Sequence, residues 1–484
     1  METQTHTVDA GALMARVALL IDQGRPNAAR PLLSAVRGLS PPSSALSELA
    51  ARLALSDGIL DGADRDLDAA IAADPDHAGL RKCRAELRRR TGDLENATRD
   101  AAEAVIADRT DIQAKALLGV LLYDIGRPAE AAACLREAVA AAPADPAYRE
   151  ALARALAQNG DPDAGLATLQ QGIAIVPAAA SLRNAAILLC IQHRDFTQAE
   201  GIGEQARLAG AADAATFGLR GHALSSLGRH ADAALAYADA LKLAPADPYV
   251  RHLAAAAGIA ASAARAPEDY VRALFDGYAV RFDQHLISLG YRIPGLIRRH
   301  ADAFAHAAPI GPVLDLGCGT GMLAVALSDL PIGPFTGIDL SPAMLAEAEA
   351  KGLYADLRQA GLPAALSDDV DPTTWRLIVA ADLMCYFGAL EDMLASVHAR
   401  LTPAGRFIFS VEALLPDHDG ALPGNGDWSL GRMGRYAHTA GYITGAAASH
   451  GFTLIALHHE ALRHEAGGPV AGLIVVLERP LTDA

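Results

Sequence analysis

A period of 34 residues constrains this chain more than any other feature. Glycine stands at Gly24, Gly58, Gly92, Gly126, Gly160 and Gly228, all on one grid, with Arg194 filling the one gap. Five positions beyond each grid point the residue is small: Ala29, Ala63, Ala97, Ala131, Gly165, Ala199 and Ala233. Seven further on the column returns as Ala70, Ala104, Ala138, Gly172, Ala206 and Ala240, with Val36 the exception. Proline closes the unit at Pro41, Pro75, Pro143, Pro177 and Pro245. Columns sharing one period mark an internal repeat. Glycine turns the chain between two helices, small residues let the helices of a pair approach, and proline ends the second helix. A unit this short cannot bury its apolar face alone, so successive units must stack.

These columns resemble tetratricopeptide repeats, about seven of them, over residues 10–247. The large aromatics of that family are mostly replaced here by leucine and alanine, as at Leu135 and Leu169. The resemblance implies an all-α superhelix whose concave face takes a peptide or protein ligand. A purely structural or dimerising array, giving a homodimer, is the alternative.

The second constraint is Val313-Leu314-Asp315-Leu316-Gly317-Cys318-Gly319-Thr320-Gly321. An apolar approach from Pro312 to Leu316 reads as a short buried strand stopping at glycine. Three alternating glycines leave room for a ligand against the backbone, and Met322 to Leu330 reads as the helix that follows. Spacing alone leaves a dinucleotide fingerprint open. Counted from Gly317 the third glycine falls on Met322, but counted from Gly319 the small residue is Ala324.

The acid Asp315 before the loop and a second acid, Asp339, ending the apolar run from Phe335 give a set resembling the class I S-adenosylmethionine-dependent methyltransferases. That resemblance implies a Rossmann-like α/β domain closed by a C-terminal antiparallel hairpin, with S-adenosyl-L-methionine as cofactor. It assigns Asp315 to the methionine amino end and Asp339 to the ribose hydroxyls; two carboxylate oxygens suit a cis-diol's two donors. Gly317, Cys318, Gly319 and Gly321 form the loop, while Leu340, Ser341 and Met344 follow the second acid. Tyr354-Ala355-Asp356-Leu357 is expected as the end of the third strand, placing Asp356 and Leu357 at the adenine. A fourth strand, Trp375 to Ala381, is followed by Asp382, expected at the cofactor, and by Tyr386, Phe387 and Gly388 at the active-site edge.

Leu274 to Leu286 resembles the F-D-x-Y-A-x-x-F-D-x-H-L stretch of methyltransferases that carry these repeats. It implies that Tyr278 and Phe282 close over the methionine end, where aromatic faces suit a sulfonium. Phe275, Tyr278 and Phe282, at helical spacing, read equally as core. Arg463-x-Glu465 and Gly468-Pro469-Val470 match the same group. His438 is the candidate general base because imidazole titrates near neutrality; Tyr386 and Tyr436 are candidates for orienting the acceptor.

Composition bounds the rest. At 484 residues, two or three domains are expected: repeats over 10–247, a capping helix and linker over 248–267, and the methyltransferase domain over 268–484. A net charge of −16 argues against nucleic-acid partners. Five scattered cysteines without a C-x-x-C pair fit a reduced cytoplasmic setting. No apolar run reaches membrane-spanning length, so no membrane partner is expected. His458, His459 and His464 lack the spacing of a metal site. The functional expectation is a methyltransferase whose repeats recruit a peptide, protein or carrier-bound acceptor. A small-metabolite enzyme and a non-catalytic cofactor-sensing scaffold are the alternatives, followed by a nicotinamide-dependent oxidoreductase. The loop from Pro416 to Gly431 is the candidate substrate rim.

Overall fold

The computed structural model describes residues 9–58, 63–276, 279–306, 310–367, 373–416, 422, 426–465 and 468–481, apart from the side chains of 273, 280 and 281. Helices run in pairs from Ala10–Asp22 with Pro26–Leu39 to Ala214–Ser226 with His230–Leu243. The grid glycines between partners are left-handed, with φ of 66° at Gly24, 76° at Gly126 and 89° at Gly160. Arg194 takes the same conformation, φ 62°, so the turn is kept where the glycine is not. Aspartates cap many helices: Asp93, Asp111, Asp161 and Asp195 each accept a first-turn N–H. Ala29, Ala97, Ala131 and Ala199 are fully buried. Gly165 answers a tighter approach, because a Cβ there would stand 2.8 Å from the Ala153 carbonyl oxygen.

The chain divides into two compact units, Met1–Leu219 and Arg220–Ala484. The division falls inside the Ala214–Ser226 helix, ahead of the expected boundary at 247. Within the second unit, Leu224, Ala236, Tyr237 and Leu253 share an apolar cluster with Tyr270, Tyr386 and Tyr436. The helix of the expected capping segment is Pro248–Ala256. The expected linker after it is docked: Ala266 N–H donates to Tyr386 O at 2.8 Å, Gly388 N–H to Ala264 O at 2.7 Å, and the Tyr436 hydroxyl to Ala263 O at 2.8 Å.

The second unit is a Rossmann-like sheet domain. Its strands are β1 (Val313–Leu316), β2 (Phe335–Asp339), β3 (Tyr354–Gln359), β4 (Trp375–Ala380), β5 (Leu401–Ala413), β6 (Trp428–Leu430), β7 (Tyr436–His438), β8 (Thr453–Glu465) and β9 (Gly468–Glu478). The order β3-β2-β1-β4-β5 is parallel, β9 lies antiparallel on β5, and β8 pairs with β9. This is the expected C-terminal antiparallel hairpin, and it takes in His464 and Glu465. β1 and β4 are almost wholly buried because helices cover both faces, which explains their unbroken apolar run. The chain reverses its order between β1 and β4, where sheets of this kind open a crevice at the strands' carboxyl ends.

Two expectations shift. Tyr354-Ala355-Asp356-Leu357 opens β3 rather than ending it, since β3 continues to Gln359, level with Asp339. Half-exposed and bearing charges, β3 shows no apolar block from which to place its end. Half of the candidate rim from Pro416 to Gly431 falls outside the described residues; its described end forms β6, paired with β7.

Candidate functional site

The site is built on the ends of β1 and β2. Leu316 gives way to Gly317, Gly319 and Gly321, with φ of 64°, 53° and 86°, a region that disfavours side chains. A Cβ at Gly317 would come within 2.9 Å of Leu383, and one at Gly321 within 3.0 Å of the Tyr354 ring. The loop is tied to β2: Gly317 N–H and Cys318 N–H both donate to Ile338 O, at 2.8 and 3.1 Å. Asp339 then accepts from Gly319 N–H at 2.9 Å on one oxygen and from Ser341 N–H at 2.9 Å on the other. Each oxygen keeps lone pairs for a further donor. Ser341 also caps the Pro342–Ala350 helix, accepting from Met344 N–H at 3.2 Å, and Met344 is buried behind it.

Asp315 is 1 % exposed. The Tyr354 hydroxyl donates to its Oδ2 at 2.7 Å, while Oδ1 has no partner among the described residues. Burial pushes this carboxyl up to about 7, opposed by the Tyr354 hydroxyl, with the charge of Asp339 adding to the rise. Burial also raises Asp339, against the N–H bonds it accepts. Two buried carboxyls held above their ordinary range, one with an orphaned oxygen, form a place that a cation and hydrogen-bond donors would relax.

The other expected residues divide. Phe282 lies at the loop: its ring would stand 3.9 Å from a Cβ on Gly319 and packs edge-on to Phe275 at 5.8 Å. Leu340 O accepts from the Gln359 side-chain amide at 3.4 Å. Leu357 packs under Gly337. Asp356 is not at the strand end; it sits exposed inside β3, paired with Arg358 at 2.5 Å. Tyr278 lies outside the described residues. Asp382, at the end of β4, has φ 56° and holds Arg463 through both oxygens at 3.1 and 3.2 Å. Arg463 also reaches Glu412 and Glu465, and Arg435 reaches the same two acids, so five charged side chains form one network there. Tyr386 is buried against Phe275, ring to ring 5.7 Å. The Tyr291 phenol is raised well above the ordinary value, first by burial, then by the charge of Asp382.

His438 and Tyr436 occupy structural places instead. Both are fully buried in β7, whose pairing with β5 and β6 takes them away from solvent. His438 Nε2 bonds Gly388 O at 3.0 Å, and burial pushes the imidazole down to about 4, partly offset by that bond. A base titrating near neutrality was expected; the ring is buried, and burial holds it below that range. Tyr436 spends its hydroxyl on the Ala263 carbonyl. Sequence reading missed Tyr354, Asp276, Asp283 and Lys351. The two aspartates lay in the motif already quoted, but their partners are loops 37 and 65 residues away. Among the described residues no group of three metal-ligating side chains occurs.

Comparisons with known proteins agree on the two halves. A family model described as a methyltransferase domain matches residues 314–407, and tetratricopeptide-repeat models match 117–180 and 214–247. The chain is 35 % identical over 105 residues to a ribosomal protein L11 methyltransferase of Ralstonia pickettii, covering 22 % of this chain and 33 % of that one. It is 38 % identical over 87 residues to human methyltransferase-like protein 27, covering 17 % of this chain and 34 % of that one. The match thus spans about a third of the length of these relatives. A tetratricopeptide repeat protein of Parabacteroides merdae aligns over 51 % of this chain and 97 % of its own at 18 % identity, with a TM-score of 0.38. The chain therefore joins tetratricopeptide repeats to a methyltransferase domain.

Proposed function

We propose that this chain is an S-adenosyl-L-methionine-dependent methyltransferase whose repeats bring in a peptide, protein or carrier-bound acceptor. The observation that carries the reading is the Asp315 oxygen without a partner, buried beside a glycine loop that side chains would fill. An ammonium is the natural partner for that oxygen, and Asp339 suits a ribose diol. When bound, the cofactor supplies an activated methyl carbon. The protein's own tasks are binding, orientation and exclusion of water. Asp315 and Asp339 bind, the glycine loop admits the ligand to backbone distance, and Phe282 covers the loop. Asp382 and Tyr386 line the acceptor side, with Arg463 fixing the Asp382 carboxylate. His438 is not assigned as the base, because its ring nitrogens face the protein interior.

The domain plan follows as repeats over 10–247, a docked connector over 248–267 and the methyltransferase domain over 268–484. A cytoplasmic protein without nucleic-acid partners fits the net charge of −16; among the described residues no helix is long and apolar enough to cross a membrane. A second reading, a small-metabolite enzyme with a structural repeat array, draws on the apolar cluster joining Tyr237 and Leu253 to Tyr386 and Tyr436.

Calorimetric titration with S-adenosylmethionine and its demethylated product, with NADH as control, tests the class. Saturable binding of the sulfur ligands alone is expected, and binding of NADH alone overturns it. A labelled-methyl screen of peptides against metabolites, with and without the repeats' concave side chains substituted, separates the two acceptor readings.

A further inference from the structure

The segment preceding β1 carries two Phe-Asp pairs, Phe275-Asp276 and Phe282-Asp283, on the helices Glu268–Asp276 and Ala279–Ser288. Each aspartate reaches a different cofactor loop. Asp276 accepts from the Ser341 hydroxyl at 2.5 Å, and Ser341 is the residue whose N–H holds Asp339. Asp283 accepts from the Thr320 hydroxyl in the glycine loop and pairs with Lys351 at 2.9 Å. Lys351 in turn donates to the Thr320 carbonyl at 2.6 Å, closing a ring of three groups. Thr320 is 2 % exposed, so its end of these bonds is shielded from competing water, while Lys351 and Asp283 are partly exposed. At the head of the first helix, the Glu268 carboxylate lies 2.8–2.9 Å from where a Cβ on Gly361 would stand, just after β3. One segment thus touches the chain after β1, after β2 and after β3.

Resting on the cofactor reading above, we infer that Asp276 and Asp283 are positioning residues for the nucleotide cofactor. Neither needs to touch it. Asp276 fixes the Ser341 hydroxyl and through that residue the Asp339 carboxylate. Asp283, with Lys351, fixes Thr320 and the curvature of the glycine loop. Their hydrogen bonds set how fast the bound nucleotide leaves, because the loops relax only when these bonds break.

The test is the dissociation rate of S-adenosylhomocysteine from the full chain, measured by displacement in stopped flow, for Thr320→Val, Thr320→Ser, Asp283→Asn and Asp276→Asn. Loss of the hydroxyl donor in T320V, and of the charged acceptor in D283N and D276N, predicts release faster by about tenfold or more. T320S, which keeps the hydroxyl, should restore the wild-type rate, and every variant should still show a cooperative thermal transition without ligand. Release within twofold of wild type in all three variants overturns the inference, as does a T320S protein as fast as T320V. Wild-type protein that binds no S-adenosylhomocysteine overturns the cofactor reading, and this inference with it; binding with unchanged release overturns the inference alone.

Discussion

The repeat array and the sheet domain reach their order by different routes. In the array, buried alanines pack between helices and left-handed glycines turn the chain, and each recurs at its own column. In the sheet domain the decisive partners are far apart in sequence: Tyr354 with Asp315 across 39 residues, Arg463 with Asp382 across 81. Local rules make the array tolerant of single exceptions, as Arg194 shows. The site has no second copy to fall back on.

That contrast can be broken most sharply at Asp339. Asp339→Ala should weaken S-adenosylhomocysteine binding by about a hundredfold or more, through loss of a charged acceptor and of the loop it orders. Titration calorimetry reads it, and the repeat array's far-ultraviolet helix signal should not change. Asp315→Asn should likewise abolish tight binding yet stabilise the unliganded protein. The folded carboxyl titrates near 7 against an unfolded value near 3.8, so the folded state holds the extra proton between them and loses stability as pH rises through that window. Removing the titration should recover roughly 2–4 kcal/mol above pH 7, visible in denaturant midpoints.

In the array, Gly165→Ala places a methyl 2.8 Å from a backbone oxygen. A loss of about 1–3 kcal/mol is expected with cofactor affinity unchanged. A shift in affinity there would mean that the two units are not energetically separate. His438→Asn should cost about 1–2 kcal/mol through the buried bond to Gly388, while turnover of the folded fraction stays near wild type. Wild-type stability should fall as pH drops from about 6.5 towards 4, because the unfolded imidazole takes a proton that the folded one refuses. A turnover loss of a thousandfold in folded H438N would restore the ring as a base. The smallest effect is Arg194→Gly, which relieves a left-handed side chain and should stabilise by about 0.5–1 kcal/mol.

Much of this was legible beforehand, for identifiable reasons. The repeat period gave helix pairs because glycine, alanine and proline each carry a local conformational demand. The glycine loop with Asp315 and Asp339 was legible because β1 and β2 are short, apolar and bounded. Asp356 was misplaced because β3 is half-exposed and its end carries no apolar signature, so the register had to come from pairing with β2. His438 was misjudged because imidazole chemistry is a property of surroundings. The pairing of β7 with β5 and β6 buries it. The stretch around Ala263 to Ala266 read as a connector for its composition, yet it spends its backbone groups on Tyr386, Gly388 and Tyr436.

The sequence by itself determined the repeat, the sheet class and the two acids at the strand ends, since each rests on short-range spacing. The tertiary structure alone decided that Asp315 keeps an unpartnered oxygen, that Arg463 holds Asp382, and that Asp276 and Asp283 clasp the loops beneath them. Burial and long-range hydrogen bonding set those outcomes, and neither is encoded in any window of neighbouring residues.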